Sequence, residues 1–185
     1  YHLLRHLAAR HRVHLGAFVD DPADLAHEAA LRALCAEVRL FPIDPRKRKL
    51  ASLAGFVTGE ALSVRFYRDR RVREWLGALR AREPIDVVVT CSSTMAQYAQ
   101  DPAWSSRPRI ADFVDLDSEK WRQYAAHARP PMSWVFAREA RTLLSFERHV
   151  AAAFTRTLFV SGAEAELFTQ QAPEAAGRVG YFSNG

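Results

Sequence analysis

A chain of 185 residues, 49% hydrophobic and 25% charged, has the composition of one globular domain with a sizeable core. It holds no apolar run of the ~18 residues a membrane-spanning helix needs, and its beginning lacks an export-signal pattern. The formal charge is +5, but helix-turn-helix, zinc-finger and RNA-binding signatures are missing, so no nucleic-acid partner is expected.

The chain opens without Met in "YHLLRHLAARHRVHL", already inside a helical pattern that puts Leu3, Leu4 and Leu7 on one face over 1–10. His2, His6, His11 and His14 crowd this stretch and read as polar faces of the helix and the next strand, not as metal ligands. "RVHLGAFV" (12–19) is a strand. The helix expected over 20–37 has Asp21 as N-cap, Pro22 at the first helical position and Asp24 in the first turn. "VRLFPI" (38–43) is the next strand, and a short helix is expected over 46–57. Residues 69–82 read as a helix ending near Pro84.

"IDVVVT" (85–90) is the clearest buried strand, a β-branched run of the kind parallel sheets require. "SSTMAQYAQ" starts a helix, "RIADFVD" (109–115) is a strand, and a helix follows Asp117. A long helix over 132–153 carries Phe136, Leu143, Leu144 and Val150 near helical spacing. After the strand "TRTLFVS" (155–161), Ser161 and Glu164 form a capping box. "RVGYF" (178–182) closes the series. Such alternation implies βαβ units and a parallel sheet covered on both faces: one α/β, Rossmann-like three-layer sandwich over 1–185. Sheets of this kind open with a strand, so a first strand and its loop are expected upstream of Tyr1.

Cys35 and Cys91 are far apart, outside any metal-ligand spacing, and read as reduced thiols of a cytosolic protein. "PRKRKL" (45–50) and "RFYRDRRVR" (65–73) hold nine of the 26 basic residues. These runs suit solvated surface, or attraction to an anionic membrane face or a polyanionic ligand.

In an open parallel sheet, ligands bind beyond the carboxyl ends of the strands. That rule selects Val19–Asp21, Thr90–Thr94, Asp112–Asp117 and Ser161–Gly162. "TCSST" (90–94) offers hydroxyls and amides at a helix start, suited to an anion or a sugar hydroxyl, or simply to capping. "DFVDLDSEKW" (112–121) gathers four acids. Strand alternation sends Asp115 and Asp117 to one side and Asp112 with Val114 to the other. Asp117 or Ser118 can cap a helix whose first turn favours Glu119. Asp115 is left to face the crevice, where a carboxylate accepts from a hydroxyl or takes its proton. Neither GxGxxG after the second strand nor GxxxxGK[ST] anywhere is present.

"YHLLRHLAARHRVHLGAFVDD", "TGEALSVRFYRD", "DFVDLDSEKWRQYA", "REARTLLSFERHVAAAFTRTLFVSGAEAELF" and the closing "NG" together resemble the amino-terminal domain of a family 4 glycosyltransferase. The nearest group is the sugar transferases associated with the PEP-CTERM/exosortase exopolysaccharide system. The resemblance implies a GT-B enzyme that retains anomeric configuration, needs no metal or cofactor, and uses a nucleotide-sugar bound mainly by a carboxy-terminal domain. This chain would be the half that binds a glycan or lipid-linked acceptor, inactive alone, with Asn184-Gly185 leading into the linker. Many relatives place a His where this sequence has Asp115. On this reading Asp115 orients or deprotonates the acceptor hydroxyl, Ser92, Ser93 and Asp117 line the pocket, and Arg65 and Tyr67 form its rim. The protein would be cytoplasmic and peripheral at the inner membrane face. A noncatalytic Rossmann-like module for a nucleotide or sugar phosphate is the alternative reading.

Overall fold

Parallel pairing governs every strand contact in the computed structural model of the chain, which describes residues 2–183. β1 (His14–Val19) pairs with β2 (Glu37–Pro42), His14 opposite Glu37 and Val19 opposite Pro42. β3 (Val88–Cys91), β4 (Arg109–Val114), β5 (Arg156–Phe159) and β6 (Val179–Tyr181) form a second parallel sheet in that order. Parallel neighbours need crossovers, and helices or 3-10 segments supply them throughout. The expected α/β, Rossmann-like class is what the chain adopts, with its strands in two blocks.

The segment after β1 begins as expected: Asp21 Oδ1 accepts from Ala23 N at 2.9 Å, and Pro22 is first in the helix. Its first turns are 3-10 (Pro22–His27), and only Glu28–Leu34 is α-helical (α2, after α1 at His2–Ala8). The helix expected over 46–57 divides into α3 (Pro45–Ser52) and α4 (Gly55–Thr58), the latter closed by Gly59 at φ 77°. Only glycine takes that conformation without strain.

The short α5 (Leu62–Phe66) has no sequence signal of its own, and α6 (Arg70–Arg82) follows with Asp69 as N-cap. β3 starts at Val88, three residues later than expected, and the segment after it is 3-10 (Ser93–Tyr98). α7 (Asp117–His127), α8 (Met132–Ala153) and α9 (Gly162–Gln171) complete the layers. Among the described residues no helix is long and apolar enough to cross a membrane.

The main core packs Phe113 edge-on to Phe159 and Phe168, at ring separations of 5.5 and 6.0 Å, with Leu116, Val150 and Phe154 around them. A second core joins Phe41, Val72 and Tyr98, with Phe18 and Trp75 against it. α8 buries Glu139, Ala140, Leu143, Glu147, Val150 and Ala151. Two glutamates thus occupy an otherwise apolar stripe. A buried carboxylate is costly unless it is paired or neutralised, so both residues need a physical account.

Candidate functional site at the strand carboxyl ends

β4 does not run straight into its helix. Its register shifts between Asp112 and Val114, and Val114 takes a left-handed φ of 67°. Asp112 Oδ1 holds this bend by accepting from Val114 N at 3.1 Å. Burial pushes the Asp112 carboxyl up, and the Val114 amide draws it back down. The simple alternation of side chains expected over 112–117 therefore ends at Val114, because the bulge re-aims everything after it.

Beyond the bend, Asp115 is half exposed and lies 3.6 Å from Lys120 Nζ, while Asp117 Oδ1 accepts from the same ammonium at 3.0 Å. Asp117, then Asp115, push the Lys120 ammonium up from its ordinary value. Neither Asp117 nor Ser118 is the N-cap of α7: Leu116 holds that position without a side-chain cap bond. The orphan Leu116 amide donates instead to Glu164 Oε1 at 3.1 Å. This diverts half of the expected capping box, since Ser161 Oγ accepts from Glu164 N at 3.3 Å but the carboxylate also reaches across to β4's end.

Next to it, Ser92 ends β3 with φ 74° and donates its amide to the Asp112 carbonyl at 2.8 Å. Its hydroxyl meets Thr94 Oγ1 at 3.1 Å, leaving no side-chain cap on the following 3-10 segment. Ser92 and Val114 are the only non-glycine residues with positive φ among those described, and they stand at the ends of adjacent strands. Backbone strain of this kind costs roughly 1–3 kcal/mol per residue and collects at functional sites.

Tyr67 joins this group from the end of α5. Tyr98 fixes it, its hydroxyl accepting from Asp69 N at 2.7 Å and donating to the Tyr67 carbonyl. Gln97 Nε2 adds a bond to Val64 O at 2.8 Å, so the 3-10 segment after β3 carries α5. The Phe18 ring packs 5.6 Å from that of Tyr67. Burial pushes the Tyr67 phenol up, and the Asp20 and Asp117 carboxylates push it further, so the ends of β1 and β4 both bear on it.

Two expected site residues lie elsewhere. Ser93 is fully buried and faces inward, toward Glu147, rather than lining the opening. Arg65 Nη1 donates to Glu60 Oε2 at 2.6 Å, and Arg68 binds the other oxygen of the same carboxylate. Arg68 and then Arg65 hold the Glu60 carboxyl down to about 2. Arg65 is consumed in that network.

Glu147 is the feature that the sequence reading did not single out. Desolvation pushes its carboxyl up to about 8, and Asp117 adds to the rise. Ser118 and Ser93 draw it down, although none of the four oxygens involved has a partner in proper hydrogen-bond geometry. The available signal was a Glu in register with Leu143 and Val150 on one helix face. The strand ends therefore carry a partly exposed group of Asp115, Asp117, Lys120, Tyr67 and Ser92, next to a sealed group of Glu147, Ser93 and Ser118. The partly exposed group can accept from hydroxyls at the carboxylates and donate from the ammonium and the phenol.

The basic runs are also less open than their sequence suggests. Arg48 and Arg71 both bind the buried Asp69, and Arg70 pairs with Glu74. Arg46, Lys47 and Lys49 of α3 remain on the surface, with Lys47 only 3.8 Å from Asp44. Beside them Leu50 and Val57 stand out at 72% and 90% exposure.

No protein-family model matches this sequence, and no curated protein matches it either.

Proposed function

We propose that this chain is the acceptor-side half of a glycosyltransferase that moves a sugar from a nucleotide-sugar to a glycan or lipid-linked hydroxyl. The observation that carries the reading is the paired strain at the ends of the adjacent strands β3 and β4, with Ser92 following the one and the Asp115–Lys120–Asp117 cluster following the other. A sugar hydroxyl needs an acceptor for its proton and a donor for its oxygen. Asp115 supplies the first, and Lys120 and Tyr67 the second. Asp117 orients Lys120, and Ser92 sits at the edge of the opening. Arg65 has no part in this arrangement, and Ser93 acts only from beneath.

The deciding experiment uses the intact enzyme with Asp115→Asn. Turnover should fall by roughly 10²-fold or more, with acceptor KM changed far less, because the amide still accepts a hydrogen bond but takes no proton. Unchanged turnover and acceptor KM would remove Asp115 from the chemistry. Loss of nucleotide or sugar-phosphate binding, with no transfer reaction in the parent enzyme, would favour a noncatalytic binding module instead.

A membrane-bound acceptor fits a second surface. Leu50 of α3, Leu53 after it, and Phe56 and Val57 of α4 are exposed beside Arg46, Lys47 and Lys49. Apolar side chains insert at a bilayer interface while basic ones meet anionic headgroups. Arg138 supports the patch from α8, its guanidinium 4.9 Å over the Phe56 ring and bonded to the Gly55 carbonyl. On this reading the domain works at an anionic membrane face.

A further inference from the structure

The segments that lead into β3 and β4, at the amino ends of these strands, border a cavity of about 390 Å³. Its walls come from the last turn of α6, the residues between α6 and β3, and the 3-10 turn Pro102–Trp104 with the residues after it. The carboxyl end of a helix attracts cations, because its last carbonyls carry partial negative charge. α6 meets that preference with Arg80 and Arg82. The two arginines then part ways. Arg82 binds the Glu37 carboxylate, while Glu83, the one acid on the cavity wall, takes a two-pronged bond from Arg12 at 2.8 and 3.0 Å. Arg80 has no carboxylate. Its guanidinium lies over the Trp104 ring, 5.6 Å from its centre, and Trp104 itself is 4% exposed.

Arg107 borders the same cavity, and among the described residues neither it nor Arg80 has a hydrogen-bond or ion-pair partner for its guanidinium. Other arginines at the amino ends of the strands are committed. Arg109 donates to the Ala99 and Ala153 carbonyls, Arg156 to that of Gly177, and Arg178 to that of Ala152. Two free guanidiniums on one concavity are therefore unusual in this molecule. An indole beneath one of them limits its motion, so fewer conformations are lost when an acceptor arrives.

We propose that this cavity binds a small phosphomonoester, with its phosphate on Arg80 and Arg107 and its organic part against Pro84, Ile85 and Ala103. Charge selects an anion, because the only acid on the wall is already spent on Arg12. Geometry selects phosphate among anions. A carboxylate has two oxygens, which one guanidinium fork satisfies, whereas a phosphomonoester has three terminal oxygens and nearly two negative charges. Two guanidiniums and the Ser106 hydroxyl match that demand. Size selects an ester over the bare ion: small-molecule sites measure roughly 300–1,000 Å³, and this cavity falls in that range with an apolar wall beside its cations. The site lies at the amino ends of the strands, so it is separate from the acceptor residues at their carboxyl ends and does not rest on the transferase reading.

The test follows the indole N–H signal of Trp104, identified with Trp104→Phe, in nitrogen-15 NMR of the chain. Glucose 6-phosphate, AMP and inorganic phosphate are titrated separately at constant ionic strength. At least one ester should shift the signal with a Kd below about 1 mM, roughly tenfold tighter than inorganic phosphate. Arg80→Gln and Arg107→Gln should each weaken that binding by roughly tenfold or more, with unchanged melting temperatures showing that both variants fold. Arg141→Ala removes an equally exposed cation from α8 and should bind as the parent does. Equal affinity for the esters and inorganic phosphate would overturn the proposal, as would binding indifferent to both Gln variants or weakened as much by Arg141→Ala. No transfer reaction enters the measurement, so a negative result here leaves the Asp115→Asn experiment to decide the transferase reading by itself.

Discussion

Glu139 and Ser63, 76 positions apart in sequence, share two hydrogen bonds: Glu139 Oε1 accepts from the Ser63 amide at 2.9 Å and from its hydroxyl at 2.5 Å. The other carboxylate oxygen accepts from Leu62 N at 2.7 Å. A side chain from α8 is thereby the missing N-cap of α5, whose own cap residue is Ala61. Glu139→Ala strands two partly buried amides and should cost roughly 1–3 kcal/mol in urea denaturation. Ser63→Ala should cost about 1 kcal/mol, and the double variant less than the sum. Full additivity would show that the cap is not an energetic unit.

Glu147 makes a different prediction, because it is buried without well-formed partners. Its folded-state pKa of about 8 lies above the 4.5 of an ordinary glutamate. The native state therefore holds a proton that the unfolded chain releases. The stability linked to that proton is complete below pH 4.5, declines as pH rises between the two values, and is lost above about 8. Glu147→Gln keeps the neutral shape, so it should match the parent at pH 4 and exceed it by roughly 2–4 kcal/mol at pH 9. Parallel pH profiles for the two proteins, measured by urea denaturation, would contradict this assignment.

Gly16 is required by contact, not by backbone conformation. A Cβ there would lie 2.5 Å from Trp75 Cζ3, and the indole cannot swing away freely because its Nε1 donates to Glu37 Oε1 at 2.7 Å. Gly16→Ala should lose ~1–3 kcal/mol by thermal denaturation. The loss should shrink when Trp75→Phe is introduced as well, although that change alone is destabilising.

The surface of α3 and α4 predicts salt-sensitive sedimentation with anionic vesicles. Three exposed basic residues supply about 1 kcal/mol each at low salt. Leu50→Asp with Val57→Asp should abolish binding without changing the melting temperature, since both side chains face solvent. No binding to anionic vesicles at low salt would dismiss the membrane-facing role.

Local rules made much of this molecule legible in one dimension. Asp21-Pro22 starts a helix, the β-branched run before Cys91 makes a strand, and Ser161 caps α9, because caps, prolines and β-branched side chains act through their immediate neighbours. The parallel α/β class followed from strand–helix alternation alone.

What lay beyond the sequence was decided by contacts between distant segments. Nothing near residue 62 announces α5, since its cap comes from Glu139. Strand alternation misplaced the side chains after Asp112 because that carboxylate bends its own strand at Val114. Arg65 was drawn away by Glu60, Ser93 was turned inward toward Glu147, and the basic run around Asp69 was largely paired by Asp69, Glu60 and Glu74 together. Sequence fixes which groups are available. The tertiary structure decides which of them keep their hydrogen-bonding capacity for a ligand, because a buried charge claims its partners first.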